Sequence, residues 1–299
     1  MKTIKNIIFT ILMMGLVLFV YFKRDDISIT IKEFLMKENE PLIKDSNEYK
    51  RDFDYIKFTY TNDFTPYNKE DVLNIYFNIL NNGWNDFTFY CPKEYKECTS
   101  DIDEIANDQE LMTKVNDYVH PFNSFSDLNT KISSNGEINI IVTHKYTKDK
   151  IDLINNKVTE ILNSLPLDGK TDRDKISLVH NYIINHSTYD DNMINKTSPY
   201  DSTSAYGNLI EGYSVCSGYS DAMAIFLDRL NIPNIKISSE HHIWNLAYVE
   251  GKWLHLDLTW DDAEDIRYQN NYFLISKEKL HKLDRQEHTY DEEFFLEAH

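Results

Sequence analysis

A chain of 299 residues with 49 Asp and Glu against 31 Lys and Arg carries a formal net charge of −18, and is long enough for one or two domains with cores of their own. That acidic balance excludes a nucleic-acid partner, because phosphate recognition demands a basic surface, and it disfavours electrostatic adsorption to anionic lipid. Only eight glycines occur, with no glycine-rich phosphate loop and no spaced set of Cys and His, so neither nucleotide chemistry nor zinc is supported. No cofactor is expected.

In chain order, the first feature is an apolar run from Ile7 to Phe22, broken only by Thr10 and Gly15 and flanked by Lys2, Lys5, Lys23 and Arg24. Its 16 residues fall between a signal-peptide core and a full span. Signal cleavage needs small residues, and the first alanine of the chain is Ala106. The expectation is therefore an uncleaved signal anchor over residues 1–24, a single pass through the cell membrane, with the bulk of the chain extracytoplasmic. Residues 25–54, polar and charged from Lys37 to Asp54, then read as a linker.

A smaller α+β region is expected over residues 55–165. Val72, Ile75, Tyr76, Ile79 and Leu80 form a helical stripe that stops at Gly83. Phe87 to Tyr90 reads as a strand, and Asp101 to Tyr118 as one helix capped by Ser100. Ile138, Ile140 and Val142 alternate as a strand, and Ile151, Ile154, Val158, Ile161 and Leu162 mark a further helix. Cys91 and Cys98 bracket the short segment CPKEYKEC. In an oxidising compartment they can pair as a small-loop disulfide, and otherwise they are two free thiols. The region holds no catalytic constellation; positioning, substrate capture or partner binding are its open roles.

The chemistry lies in residues 166–299. Cys216 sits in EGYSVCSGYSDAMAIFLDRL, where Tyr219, Met223, Phe226, Leu227 and Leu230 recur at helical spacing, so the cysteine opens a helix that ends before Pro233. A helix start favours the thiolate through the positive end of the dipole. Downstream, IWNLAYV turns through Glu250 and Gly251 into KWLHLDLTW, a predicted hairpin. With those two turn residues Val249 faces Lys252, Trp244 faces Asp257, and His242 lies diagonal to Asp257 on the same face, within side-chain reach. A thiol, an imidazole and a carboxylate are the parts of nucleophilic acyl transfer. His241 points to the other face and is read as structural, and His255 as packing or surface. Asp261, Asp262, Glu264 and Asp265 crowd one turn, where a calcium site is conceivable, with a solvated acidic loop as the plainer reading.

Three ordered motifs, VCSGYSDA at 215–222, HIWN at 242–245 and HLDLTWDD at 255–262, resemble the transglutaminase-like superfamily of cysteine enzymes, with DKISLVHNYIINHSTYD at 174–190 and SAYGNLIEG at 204–212 as lead-in. The resemblance covers about a third of the chain. It implies an α+β, papain-like transglutaminase core, with the helix bearing the cysteine packed on an antiparallel sheet bearing the histidine and the aspartate. It also implies a catalytic triad of Cys216, His242 and Asp257. Trp244 and Trp260 are candidate walls of an acyl-binding cleft, and Tyr206 and Tyr219 candidate substrate-binding residues. The expected partner is a protein or peptide substrate whose amide bond is opened through a thioester, by a peptidase, an amidase or a transglutaminase. The competing expectation is a surface binding module that keeps the fold without the activity.

Overall fold

The computed structural model describes residues 13–15, 17, 19–24, 41–262 and 269–299. Among them no helix is long and apolar enough to cross a membrane, which corrects the expected single-pass anchor. Residues 7–12, 16 and 18 of the expected span lie outside the described residues. The described part of that run, Met13–Gly15, Val17 and Phe19–Arg24, is helical and exposed.

The chain is mixed α+β with mainly antiparallel sheets. Its first half runs α1 (Lys69–Asn81), β1 (Asp86–Tyr90), α2 (Cys98–Asn107), α3 (Gln109–Asn116), β2 (Phe125–Ile132), β3 (Glu137–His144) and α4 (Lys148–Ser164), with the three strands paired in the order β1-β3-β2. The two longest of these helices start on side-chain caps. Asn68 accepts from the amide of Asp71 and Thr147 from that of Lys150, which satisfies backbone donors that no earlier turn can reach. The single helix expected over Asp101 to Tyr118 is two. Asp108 leaves helical geometry (φ −86°, ψ 90°) to accept from the amide of Leu111 and cap the second helix, an option its short carboxylate has and a longer side chain lacks. Cys91 and Cys98 are joined in a disulfide.

The second half runs α5 (Asp172–His186), β4 (Thr188–Tyr189), β5 (Tyr213–Ser214), α6 (Cys216–Arg229), β6 (Asn234–Ser238), β7 (Ile243–Val249), β8 (Lys252–Leu256), the short α7 (Leu258–Asp261) and α8 (Lys277–Leu283). β4 and β5 form a two-stranded parallel pair, and β6-β7-β8 an antiparallel sheet. Glu250 and Gly251 both adopt positive φ (56° and 79°), the conformation a two-residue hairpin needs. Val249 is thereby set against Lys252 and Asn245 against Leu256.

This last sheet is covered on both faces. Ala247, Val249, Leu254 and Leu256 join a core with α6, whose Tyr219, Met223, Phe226 and Leu227 are buried. Ile235, Ile237, Trp244 and Leu246 join the other core with residues of α1 to α3, with Tyr118 just after α3, and with Tyr290 and Phe295 of the tail. IWNLAYV is accordingly buried at nearly every position, with only Tyr248 exposed; strands covered on both faces lose the polar face that makes alternation visible. Bonds from the first half brace β6. Asp117 accepts from the amide of Lys236 at 2.9 Å and from the Ser238 hydroxyl at 2.7 Å. Arg51, inside the polar stretch before residue 55, is buried, with its guanidinium on Asp228 and Asn234.

Candidate active site

Cys216 is the first residue of α6, preceded by Val215 in extended conformation (φ −110°, ψ 179°). The amides of Cys216 and Ser217 occupy the first turn, where no earlier turn of the helix supplies a carbonyl, so they are available to an anion. The approach to the cysteine is held from behind. Buried Asp190 takes the hydroxyls of Ser198 and Ser202, and the carbonyl of Ser202 accepts from the amide of Val215 at 2.9 Å. Gly218 permits this closeness. A Cβ there would stand 2.3 Å from Ser214 Oγ and 2.5 Å from the Ser202 carbonyl oxygen, a separation that packed atoms do not adopt.

Two polar ties orient α6 against the sheet. Asn245 Nδ2, from β7, donates to the carbonyl of Ser220 at 3.0 Å in a buried setting. Asp221, fully buried on α6, receives Lys236 Nζ and Lys145 Nζ at 2.8 Å each and the hydroxyl of Tyr146 at 2.7 Å. Burial alone would raise this carboxyl, but the two ammonium groups overcome it and hold it well below the usual range. A buried charge so matched is strongly destabilising to unpair.

His242 stands one residue before β7, buried, with Nε2 at 2.5 Å from Asp257 Oδ2. Burial pulls its pKa down. The charge and hydrogen bond of Asp257, and after them the influence of Cys216, more than offset this and push it up to about 10. Asp257 is buried as well, yet His242 and then His288 hold it down at about 2. Its second oxygen, Oδ1, accepts from the amides of Thr259 and Trp260 at 3.0 and 3.3 Å, so the carboxylate caps α7. His242 and Asp257 thus form a buried bonded pair, and Cys216 lies near enough to raise the pKa of that imidazole.

The other aromatic candidates divide. Trp244 is buried (1% exposed), stacked on His242 with ring centroids 5.6 Å apart, and donates from Nε1 to Nδ1 of buried His255 at 3.0 Å. Tyr219 is buried, with its hydroxyl on Asp262. Neither presents surface to a ligand; both support the site from within. Tyr206 is partly buried, with Lys150 Nζ 5.1 Å from its ring centre. Trp260 is 39% exposed, its ring centre 6.5 Å from that of His242, so it is the candidate that does border the site. His241 is exposed beside Glu240.

Asp261 and Asp262, from the acidic turn, are engaged within the protein. Asp261 takes Nε2 of buried His180 at 3.0 Å and the amide of Tyr272 at 2.8 Å, which ties α7 to α5. Glu264 and Asp265 lie outside the described residues, and with them the calcium question.

Two residues of the site were not anticipated. Tyr189 is paired with Ser214 in the parallel ladder and is 40% exposed. Its partner Ser214 lies two residues before the cysteine, and the Tyr189 hydroxyl is pushed up first by burial and then by nearby Cys216. Parity within a two-residue strand gives no signal for this. His288, in the tail after α8, places Nε2 at 2.9 Å from Asp257 Oδ2 and Nδ1 at 3.1 Å from Asp284 Oδ2. His242, Asp257 and His288 could by residue type hold a metal ion, their donor atoms lying within 4.8 Å of one another. As they stand, however, both Nε2 atoms make direct hydrogen bonds to one carboxylate oxygen.

No family model and no curated protein matches the chain. Among solved structures it is similar to a crystal structure of a TGase, with 16% identity and a TM-score of 0.35 over 48% of this chain and 46% of that one. It is also similar to one from Cytophaga hutchinsonii described as a "putative cysteine protease", with 13% identity and a TM-score of 0.28 over 44% of this chain and 61% of that one. This chain thus spans less than two thirds of the length of either.

Proposed function

We propose that this chain is a transglutaminase-like cysteine enzyme that opens a carboxamide or peptide bond through a thioester on Cys216. The carrying observation is the buried bond between Asp257 and Nε2 of His242, with Cys216 near enough to raise the pKa of that imidazole. The thiol gives its proton to His242, and the thiolate attacks the substrate carbonyl. The amide of Cys216 offers one donor to the oxyanion. His242 then returns the proton to the departing amine or ammonia, and Asp257 keeps the imidazole oriented and stabilises its charged form.

Water is the acceptor this reading favours. Cross-linking requires a site that keeps water away from the thioester, whereas Trp260 and Tyr189 stand 39% and 40% exposed beside the thiol and its base. The test is a competition. The purified protein is given a glutamine-bearing protein and a labelled primary amine, and amine incorporation is measured against release of free acid or cleaved peptide. Faster hydrolysis supports the reading. Faster incorporation makes the protein a cross-linking enzyme, and neither product with any amide substrate favours a binding module.

A further inference from the structure

We infer that His288 is a positioning residue of the active site, which fixes the triad carboxylate from the side opposite His242. The inference rests on the cysteine-enzyme reading above and adds a member to its machinery. A buried carboxylate can serve a histidine base only if it stays ionised and does not turn, and each of its oxygens therefore needs donors. Asp257 Oδ1 has two, the amides of Thr259 and Trp260. Oδ2 also has two, His242 at 2.5 Å and His288 at 2.9 Å. Without His288 the oxygen facing the base keeps one donor, and the carboxylate can rotate or pick up the proton that His242 needs to hold.

The surroundings of His288 fit that role. The ring is fully buried; Tyr272 stacks on it at 5.3 Å and 15°, and Trp244 meets it edge-on at 4.9 Å. Trp260 closes the cage at 5.4 Å. A neutral imidazole donates from one nitrogen only, and here each nitrogen faces a carboxylate oxygen, of Asp257 and of Asp284. The titratable groups around the ring are Asp257 ahead of α7, Asp284 after α8, His242, whose ring lies edge-on at 5.3 Å, stacked Tyr272, and buried His255 of β8, whose pKa the presence of His288 helps to lower. The segment is pinned in register, since Tyr290 bridges to Ser239, whose amide donates to the carbonyl of His242 at 2.8 Å. The tail and the base thus share one anchor.

The test measures the pH dependence of Cys216 alkylation by iodoacetamide in the full chain as wild type, His288→Leu, His288→Gln and Asp284→Asn, with thermal unfolding of each in parallel. A positioning role predicts that His288→Leu slows alkylation at neutral pH about tenfold or more, the scale on which outer-shell partners act, and moves its inflection upward. His288→Gln, which keeps an N–H donor, should recover most of the rate, and Asp284→Asn should shift the inflection less in the same direction. If the leucine variant does not fold, the glutamine and asparagine variants still decide, because a purely structural histidine would lower their melting temperatures and leave the inflection where it is. An activated thiol in wild type with unmoved inflections in the variants overturns the role of His288 alone. A wild-type thiol of ordinary reactivity overturns the cysteine-enzyme reading itself.

Discussion

Asn245 and Ser220 are joined by a buried hydrogen bond of 3.0 Å from the asparagine side chain to the serine carbonyl, and through it the strand that follows His242 is fastened to the helix that begins at Cys216. The bond lies three residues after the base and four after the nucleophile. It converts two separate elements into one rigid setting for the pair, which a reaction needing near-contact geometry depends on. Asn245→Ala should leave a buried carbonyl without its donor and cost roughly 1–3 kcal/mol, read by urea unfolding. The alkylation rate of Cys216 should fall with it, while Asn245→Asp, equally polar but without the N–H donor, should not restore that rate.

Gly218 should be irreplaceable for a different reason. Since a Cβ there would meet Ser214 Oγ and the Ser202 carbonyl at 2.3 and 2.5 Å, Gly218→Ala must push α6 away from the loop that holds Val215. Overpacking of this kind costs about 1–3 kcal/mol, and a lowered melting temperature together with a slowed thiol is the expected result. Gly169→Ala is the contrasting control: that glycine has φ +69° with open space around it, so its strain should lower stability and leave the thiol unchanged.

The histidine-carboxylate pair fixes the sign of the pH dependence. His242 is pushed up to about 10 in the folded chain, above the ordinary value of about 6.5, so its contribution is fully present below about pH 6.5 and is lost as pH rises toward 10. Asp257 is held at about 2, below the ordinary value of about 3.9, so its contribution is present above about pH 4 and is lost as pH falls toward 2. Unfolding free energy measured by urea titration should therefore decline between pH 7 and 10 in wild type, on the order of a few kcal/mol at most, given about 1.4 kcal/mol per pKa step. His242→Ala should lack that decline, and a decline of equal size in the variant would contradict the assignment.

Thiol counting separates the cysteines. With Cys91 and Cys98 joined and Cys216 free, the native protein should titrate one thiol and the reduced, unfolded protein three. Reduction should destabilise the chain by roughly 2–3 kcal/mol, as expected for closure of so short a loop, without altering the reactivity of Cys216.

What could be read in advance follows from how far each signal travels along the chain. The helix starting at Cys216 and the turn at Glu250 and Gly251 declare themselves locally, and two correct turn residues are enough to set Asn245 against Leu256. The expected second arm is shorter than KWLHLDLTW, because Asp257 leaves the strand to cap the helix Leu258–Asp261. β2 was not legible, because as an edge strand in the order β1-β3-β2 it presents mostly exposed polar residues, with no apolar alternation to see. Asp108 divided an apparently continuous helix by capping its second part, a choice between two backbone hydrogen-bonding schemes that spacing does not rank. His288 was out of reach altogether. It lies 31 residues after Asp257, in a tail without periodicity, and only the folded path of the segment after α8 brings it to the carboxylate.

The most direct measurement is the pH dependence of Cys216 alkylation by iodoacetamide in wild type and in His242→Ala, under non-reducing conditions that keep Cys91 and Cys98 paired. The account predicts fast labelling well below pH 8 in wild type and at least a tenfold loss in the variant, with the inflection moving toward that of a free thiol, near 8.5. Labelling of both proteins with the same ordinary thiol profile would contradict it.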